Sequence, residues 1–202
     1  LEKTSYSSLI PQALKNRQIT LINYCLVLDI TMTDQSLVHR PITQPREIIN
    51  QLKNGQLLRV NASRGNAIII CHCHHAELAG PGAAVGGMFD IKCSRVIPLG
   101  KISITHPESF NERQKAYKLR QQWLRFTQNA MESAVPLQRA SNLLLSLYKY
   151  FDPQVIDQLP NEILAKLVGV LPKTIGMVRQ SRHHQSLRNQ NPRLHAEMIM
   201  KS

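Results

Sequence analysis

The feature that most limits the fold is an abrupt change of texture at Thr105. Before it, short apolar runs are broken by turn signals, among them Asn54-Gly55, Arg64-Gly65-Asn66 and Gly80-Pro81-Gly82. These runs predict strands over 19–28, 57–60, 67–71, 89–97 and 101–104, with a short helix over 45–52. At the change itself, Thr105-His106-Pro107-Glu108 fits a helix start, with Thr105 as cap and Glu108 reaching back to its amide. Helix formers then continue to Val135, about 30 residues or ~45 Å at the α-helical rise. The expected fold class is therefore α+β: a β-rich domain over 1–104, a long helix over 105–135 and a helical unit over 136–202.

The long helix carries a repeat. Phe110, Tyr117, Leu124 and Met131 recur every seven residues, and Ala116, Trp123 and Ala130 form an adjacent row with the same spacing. Two neighbouring rows make one apolar seam, with Arg113, Lys118, Arg120 and Arg125 expected outside it. Such a seam suits a parallel helix pair in a homodimer; packing on the chain's own sheet would tolerate the same pattern. Pro136 is expected to close or kink this helix, and a second helix is predicted over 137–151.

With 202 residues, 43% hydrophobic and 19% charged, the chain is globular and long enough for one large domain or two small ones. No apolar run approaches the roughly 18 residues that span a bilayer. Four cysteines, at 25, 71, 73 and 93, are too few and too uneven for a disulfide framework, so a reducing, cytoplasmic compartment is expected. The chain opens Leu1-Glu2-Lys3 with neither an initiator Met nor a signal-peptide pattern, so its numbering is expected to begin just inside a natural start. A net charge of +12 points to a polyanionic partner. The excess is concentrated: residues 161–202 hold seven basic side chains against two acidic, and residues 111–125 hold five against one.

The most informative stretch runs from Leu159 to Arg182. Two helices meeting at a tight turn need a small residue where they approach, which Ala165 supplies, and a positive φ where the chain reverses, which Gly169 supplies. Leu164, Val168, Val170, Ile175 and Val178 fall where both helices share a core. This is a helix-turn-helix pattern, whose second helix would enter a major groove and present Leu171, Pro172, Lys173, Gly176, Met177 and Gln180. Of these only Lys173 and Gln180 suit base readout; Arg179 and Arg182 are expected on phosphate. Lys173, Thr174, Arg179, Gln180 and Arg182 are the candidate DNA-binding residues. The rival reading is an interaction or architectural subunit that uses the same unit for protein docking through Leu171, Pro172 and Met177.

The order of parts resembles the CRP/FNR superfamily of transcription regulators. The resemblance covers most of residues 55–182. It rests on Gly55-Gln56-Leu57-Leu58-Arg59-Val60, Gly65-Asn66-Ala67-Ile68-Ile69-Ile70, Glu77-Leu78-Ala79-Gly80-Pro81-Gly82 and Val85-Gly86-Gly87, followed by the helix-turn-helix pattern. It implies a cyclic-nucleotide-binding-type β-roll, jelly-roll-like in architecture, as a sensor domain ahead of a dimerisation helix and a DNA reader. The implied partners are double-stranded DNA, a second copy of the chain and RNA polymerase, with no membrane. Gly86, Gly87, Ser94 and Arg95 would be the effector-binding residues. Three departures qualify it. Gly87 stands where cyclic-AMP binders have Glu, and Ser94-Arg95 reverses their Arg-Ser pair, so a cyclic nucleotide is not the expected effector. Only Cys25 lies near the N-terminus, against an iron–sulfur cluster. Pro172, Lys173 and Met177 replace the reader's usual Arg, Glu and Arg, and residues 181–202 show no hairpin wing.

Cys71-His72-Cys73-His74-His75 is the remaining unusual feature. Strand alternation would put Cys71, Cys73 and His75 on one face and His72 and His74 on the other. Thiolates with imidazole suit zinc, copper or haem iron, so Cys71, Cys73 and His75 are the candidate metal or haem ligands. The favoured alternative is two buried strand cysteines beside exposed histidines; a redox-sensing thiol is the third. His183, His184 and His195 belong to a basic tail. No nucleophile–base pair, P-loop or zinc-protease motif is present, and the chain is not expected to be an enzyme.

Overall fold

The computed structural model describes the backbone of residues 41–190 and the side chains of residues 41–182. The strand expected over 19–28, Cys25, the tail beyond 190 with His195, and the side chains of His183 and His184 lie outside the described residues. The architecture is mixed α+β. Helix α1 (Pro45–Lys53) precedes strands β1 (Leu57–Val60), β2 (Ala67–Cys71), β3 (Ala76–Ala79), β4 (Ala84–Gly86), β5 (Arg95–Leu99) and β6 (Ile104–Thr105). Five helices follow: α2 (Phe110–Met131), α3 (Pro136–Tyr150), α4 (Pro153–Asp157), α5 (Asn161–Val168) and α6 (Pro172–Gln190). The strands form two antiparallel sheets of three, in the orders β4-β1-β6 and β3-β2-β5.

Strand β2 sets the layering. All five of its residues are buried, and alternation sends them two ways. Ile68 and Ile70 meet Leu58, Val60, Val85 and Ile104 of the other sheet, together with Ile48 and Leu52 of α1. Ala67, Ile69 and Cys71 meet the helices through Leu143, Leu147, Leu164 and Val168. A strand covered on both faces must be apolar throughout, which is why Ala67-Ile68-Ile69-Ile70-Cys71 has no polar alternation. One core thus runs from the sheet into α2, α3, α5 and α6, across the boundaries at 104 and 135 that the sequence suggested.

Helix α2 starts later than expected. Thr105 belongs to β6, paired with Arg59, and Pro107 biases His106 toward extended backbone. The cap is Ser109, whose hydroxyl accepts the Glu112 N–H at 3.2 Å, while the Glu112 carboxylate accepts the Glu108 N–H at 2.9 Å. A cap like the one expected at Thr105–Glu108 forms four residues on, with its return bond to the Glu108 N–H, one residue before the cap, rather than to the cap's own amide. The helix has 22 residues, about 33 Å rather than ~45 Å. It ends at Met131, and Pro136 opens α3 at its first turn instead of kinking α2.

The middle of the apolar seam is covered by the chain itself. Ala116, Tyr117 and Ala130 are buried. Trp123 lies so close over Gly80 that a Cβ there would come within 2.0 Å of the indole. Phe126, Tyr150 and Phe151 pack round Trp123 at ring-centroid distances of 5.4, 5.9 and 5.9 Å, joining α2 to α3. Only the ends of the seam, Phe110 and Met131, are exposed large hydrophobics.

Two strands went unforeseen: β3 (Ala-Glu-Leu-Ala) and β4 (Ala-Val-Gly) are only four and three residues long, with Val85 their one β-branched residue, too little to signal a strand. Conversely, the strand expected over 89–97 begins only at Arg95. Gly87–Phe89 is a 3-10 turn, and Asp90 then holds the chain by accepting the Gly86 N–H on its side chain at 2.6 Å and the Cys93 N–H on its carbonyl at 2.9 Å.

Candidate functional site

Two places concentrate chemistry. The first is the junction of α5 and α6. Gly169 closes α5 with φ 61° and ψ 46°, and Val170 N–H returns to the Ala165 carbonyl at 3.1 Å, the left-handed stop that glycine takes without a Cβ penalty. Leu164, Ala165, Val168, Ile175 and Val178 are buried as foreseen. Lys173, Met177 and Gln180, at i, i+4 and i+7, are exposed on one face of α6, with Leu171 73% exposed beside them; Thr174 is half-buried.

The two arginines expected on phosphate point the other way. Arg179 donates to the Ile156 carbonyl at 2.8 Å, the Leu159 carbonyl at 2.9 Å and Asn161 Oδ1 at 2.6 Å, so it ties α6 to the end of α4. Arg182 lies over the Tyr148 ring, 4.3 Å from its centroid. Tyr148 in turn donates to Asp157, and burial, then that carboxylate, push its phenol up to about 12. The reason is helical phase. Ile175, Val178, Arg179 and Arg182 stand at i, i+3, i+4 and i+7, so both arginines share the buried face. Their placement was readable from that spacing; basic charge alone suggested otherwise.

The second place is the β2–β3 hairpin. Ile70 pairs with Glu77 and Cys71 with Ala76, and the His72 N–H to His75 carbonyl bond of 2.9 Å extends the ladder by one pair. Cys73-His74 is therefore the turn, and His72 stands opposite His75. Their rings stack with centroids 4.6 Å apart and planes 13° from parallel. Glu77, two residues beyond His75, shares its face, with Oε1 3.6 Å from His75 Nε2. Ligand atoms of His72, His75 and Glu77 all fall within 4.8 Å of one another.

The trio Cys71, Cys73 and His75 is not brought together. A two-residue turn interrupts strand alternation, so His75 rejoins the face of His72, while Cys71 enters the helix-side core with Ala67 and Ile69 and Cys73 sits exposed at the tip. Burial pushes the Cys71 thiol up, outweighing the opposing charges of Lys166 and Arg95, and burial does the same to Cys93. Neither thiol has the lowered pKa that a reactive cysteine needs.

Behind the hairpin lies a buried ion cluster that sequence reasoning missed. Asp90 is fully buried and Arg120 only 5% exposed. Arg120 grips Asp90 with two bonds of 2.6 and 2.9 Å, reaches Glu77 Oε2 at 2.6 Å and donates to the Ala84 carbonyl at 3.4 Å. Burial by itself would raise the Asp90 carboxyl. The Arg120 charge and hydrogen bonds, with the nearby His72 imidazole and the Gly86 N–H, overcome it and hold Asp90 well below the usual carboxylate range. Arg120 had been expected outside the seam. Yet Ala116, Arg120, Trp123, Thr127 and Ala130 lie on one helical face, which was the available signal.

The four effector candidates are engaged within the chain or turned to solvent. The Gly86 N–H goes to Asp90 and the Gly87 N–H to the Gln56 carbonyl at 3.1 Å. The Ser94 hydroxyl donates to the Cys71 carbonyl at 3.0 Å, and Arg95 is exposed at the start of β5. On the far side of the hairpin, Lys166 of α5 donates to the Cys73 carbonyl at 3.0 Å and the His72 carbonyl at 3.4 Å, joining the two places. Among the described residues no helix is long and apolar enough to cross a membrane. No known protein family, curated protein or solved structure matches this chain.

Proposed function

We propose that the chain is a DNA-binding transcription regulator that acts as a dimer, a divergent relative of the CRP/FNR superfamily. The carrying observation is the α5–α6 junction: a left-handed Gly169 between two helices with a shared buried core, and an opposite face of α6 left open. In this reading α5 and α6 are a helix-turn-helix on a β-roll-like, jelly-roll-like domain, and the first turns of α6 enter a major groove. With Arg179 and Arg182 turned inward, Lys173 and Gln180 remain for the DNA, and Thr174 stands between them. The net charge of +12 supplies sequence-independent affinity for phosphate.

The test is fluorescence anisotropy with a selected DNA site and a random duplex across a salt series. A steep fall of log K with log [salt], and a preference of ~1,000-fold or more for the selected site, supports a sequence-reading regulator. A steep slope without preference makes it an architectural DNA binder, and no binding at low salt refutes the reading. A second reading, protein docking with RNA polymerase among the partners, draws on one observation: Leu171 and Met177 are 73% and 50% exposed on the open face. Met177→Lys separates the two, since a docked partner would be lost while duplex binding would persist.

A further inference from the structure

We propose that the β2–β3 hairpin is a binding site for a zinc-class divalent ion, held by His72, His75 and Glu77. The register creates the site: a two-residue turn places two imidazoles opposite each other, and the carboxylate two residues on completes one face. His72 is nine-tenths buried, and its Nε2 has no hydrogen-bond partner; Asp90 Oδ1, at 3.6 Å, is too far. A buried imidazole nitrogen left open beside carboxylates is costly unless something occupies it.

Charge points the same way. Asp90 and Glu77 bring two carboxylates, and Arg120 brings one guanidinium. The two carboxylates exceed the one guanidinium by one negative charge in a largely buried place, and a cation offsets that cost. Two imidazoles and one carboxylate are a zinc-type set that leaves a fourth position for water, whereas magnesium and calcium take oxygen donors. Two ligands ~2.0–2.1 Å from a tetrahedral ion stand about 3.4 Å apart, and His75 Nε2 lies 3.6 Å from Glu77 Oε1. Arg120 holds the other Glu77 oxygen, Oε2, and so leaves Oε1 for the ion, the orienting role of an outer-sphere partner. One movement is required. The stacked rings hold their nitrogen lone pairs in nearly parallel planes, and His75, the exposed member, must tilt to converge with His72.

The experiment titrates the untagged full chain, kept reduced, with Co2+ as a spectroscopic stand-in and then displaces it with Zn2+. The expected result is one equivalent bound, with visible bands of tetrahedral intensity, no thiolate-to-cobalt charge-transfer band in the near ultraviolet, and full displacement by zinc. His75→Ala, a change at an exposed side chain, weakens binding at least ~10-fold, and so does Glu77→Gln. His74→Ala, at the turn tip, leaves it unchanged. Far-UV circular dichroism confirms that each variant is folded. The proposal is overturned by the absence of saturable binding to the folded chain, by affinity indifferent to His75→Ala, or by a strong thiolate band.

Discussion

Replacing Arg120 with Met tests the centre of the molecule. Methionine keeps much of the stem's length and removes the charge, leaving Asp90 fully buried and Glu77 half-buried without their shared partner. Removing one side of a buried pair costs about 3–5 kcal/mol, a large share of the roughly 5–15 kcal/mol that hold a domain folded. Urea unfolding with a chelator present, so that no ion contributes, reads this as a lower midpoint. The pH dependence carries the sharper signature. In the wild type Asp90 is depressed, so its contribution is fully present above the unfolded value of about 4 and is lost only as pH falls through the folded value. It therefore adds no slope between pH 7 and 5. In Arg120→Met burial, the largest influence on Asp90, is opposed only by the Gly86 N–H and His72, and raises the carboxyl above its unfolded value, so the variant regains stability as pH falls from 7 to 5. Adding Asp90→Asn removes the stranded charge, flattens that slope and returns part of the loss. A cost below about 1 kcal/mol, or an unchanged pH slope, would refute a desolvated ion cluster.

Arg179→Ala is expected to lower stability by about 1.5–3 kcal/mol through the lost charged hydrogen bonds, yet to bind duplex DNA normally where folded. Lys173→Ala should do the reverse, and thermal melts with anisotropy on both variants check the inward and outward assignments. Gly80→Ala drives a Cβ into the Trp123 indole; we expect a loss of about 1–3 kcal/mol and a red-shifted tryptophan emission. The Tyr148 phenol is held up to about 12, above its unfolded value of about 10. Its contribution is full below pH ~10 and lost as pH rises toward 12, so Tyr148→Phe should abolish that part of the alkaline destabilisation in urea titrations.

Legibility followed the range of the interactions. Strands β1 and β2 were readable to the residue because each local apolar run starts just after a Gly-containing turn, Asn54-Gly55 and Arg64-Gly65-Asn66. The Ala165–Gly169 turn was equally plain, because φ at Gly169 is a local demand. Strands β3 and β4 were not, since segments this short and Ala-rich are strands only by pairing with β2 and β1. The candidate ligands show the same division. The Cys-His run stood out, but which of its members converge depends on where the hairpin turns. One residue of register decides whether His75 sides with Cys71 or with His72.

By itself, then, the sequence determined what depends on neighbours along the chain: a mixed α+β class, the break after the last strand, the reversal at Gly169, and an excess of positive charge. Tertiary structure decided where each helix face went. It laid the middle of the α2 seam on the chain's own sheet, turned Arg179 and Arg182 inward, and buried Arg120 between Asp90 and Glu77. The physical reason is that a basic side chain bears the same charge whether it faces solvent or a buried acceptor. Only the fold supplies the acceptor, and Asp90 stands 30 residues from Arg120.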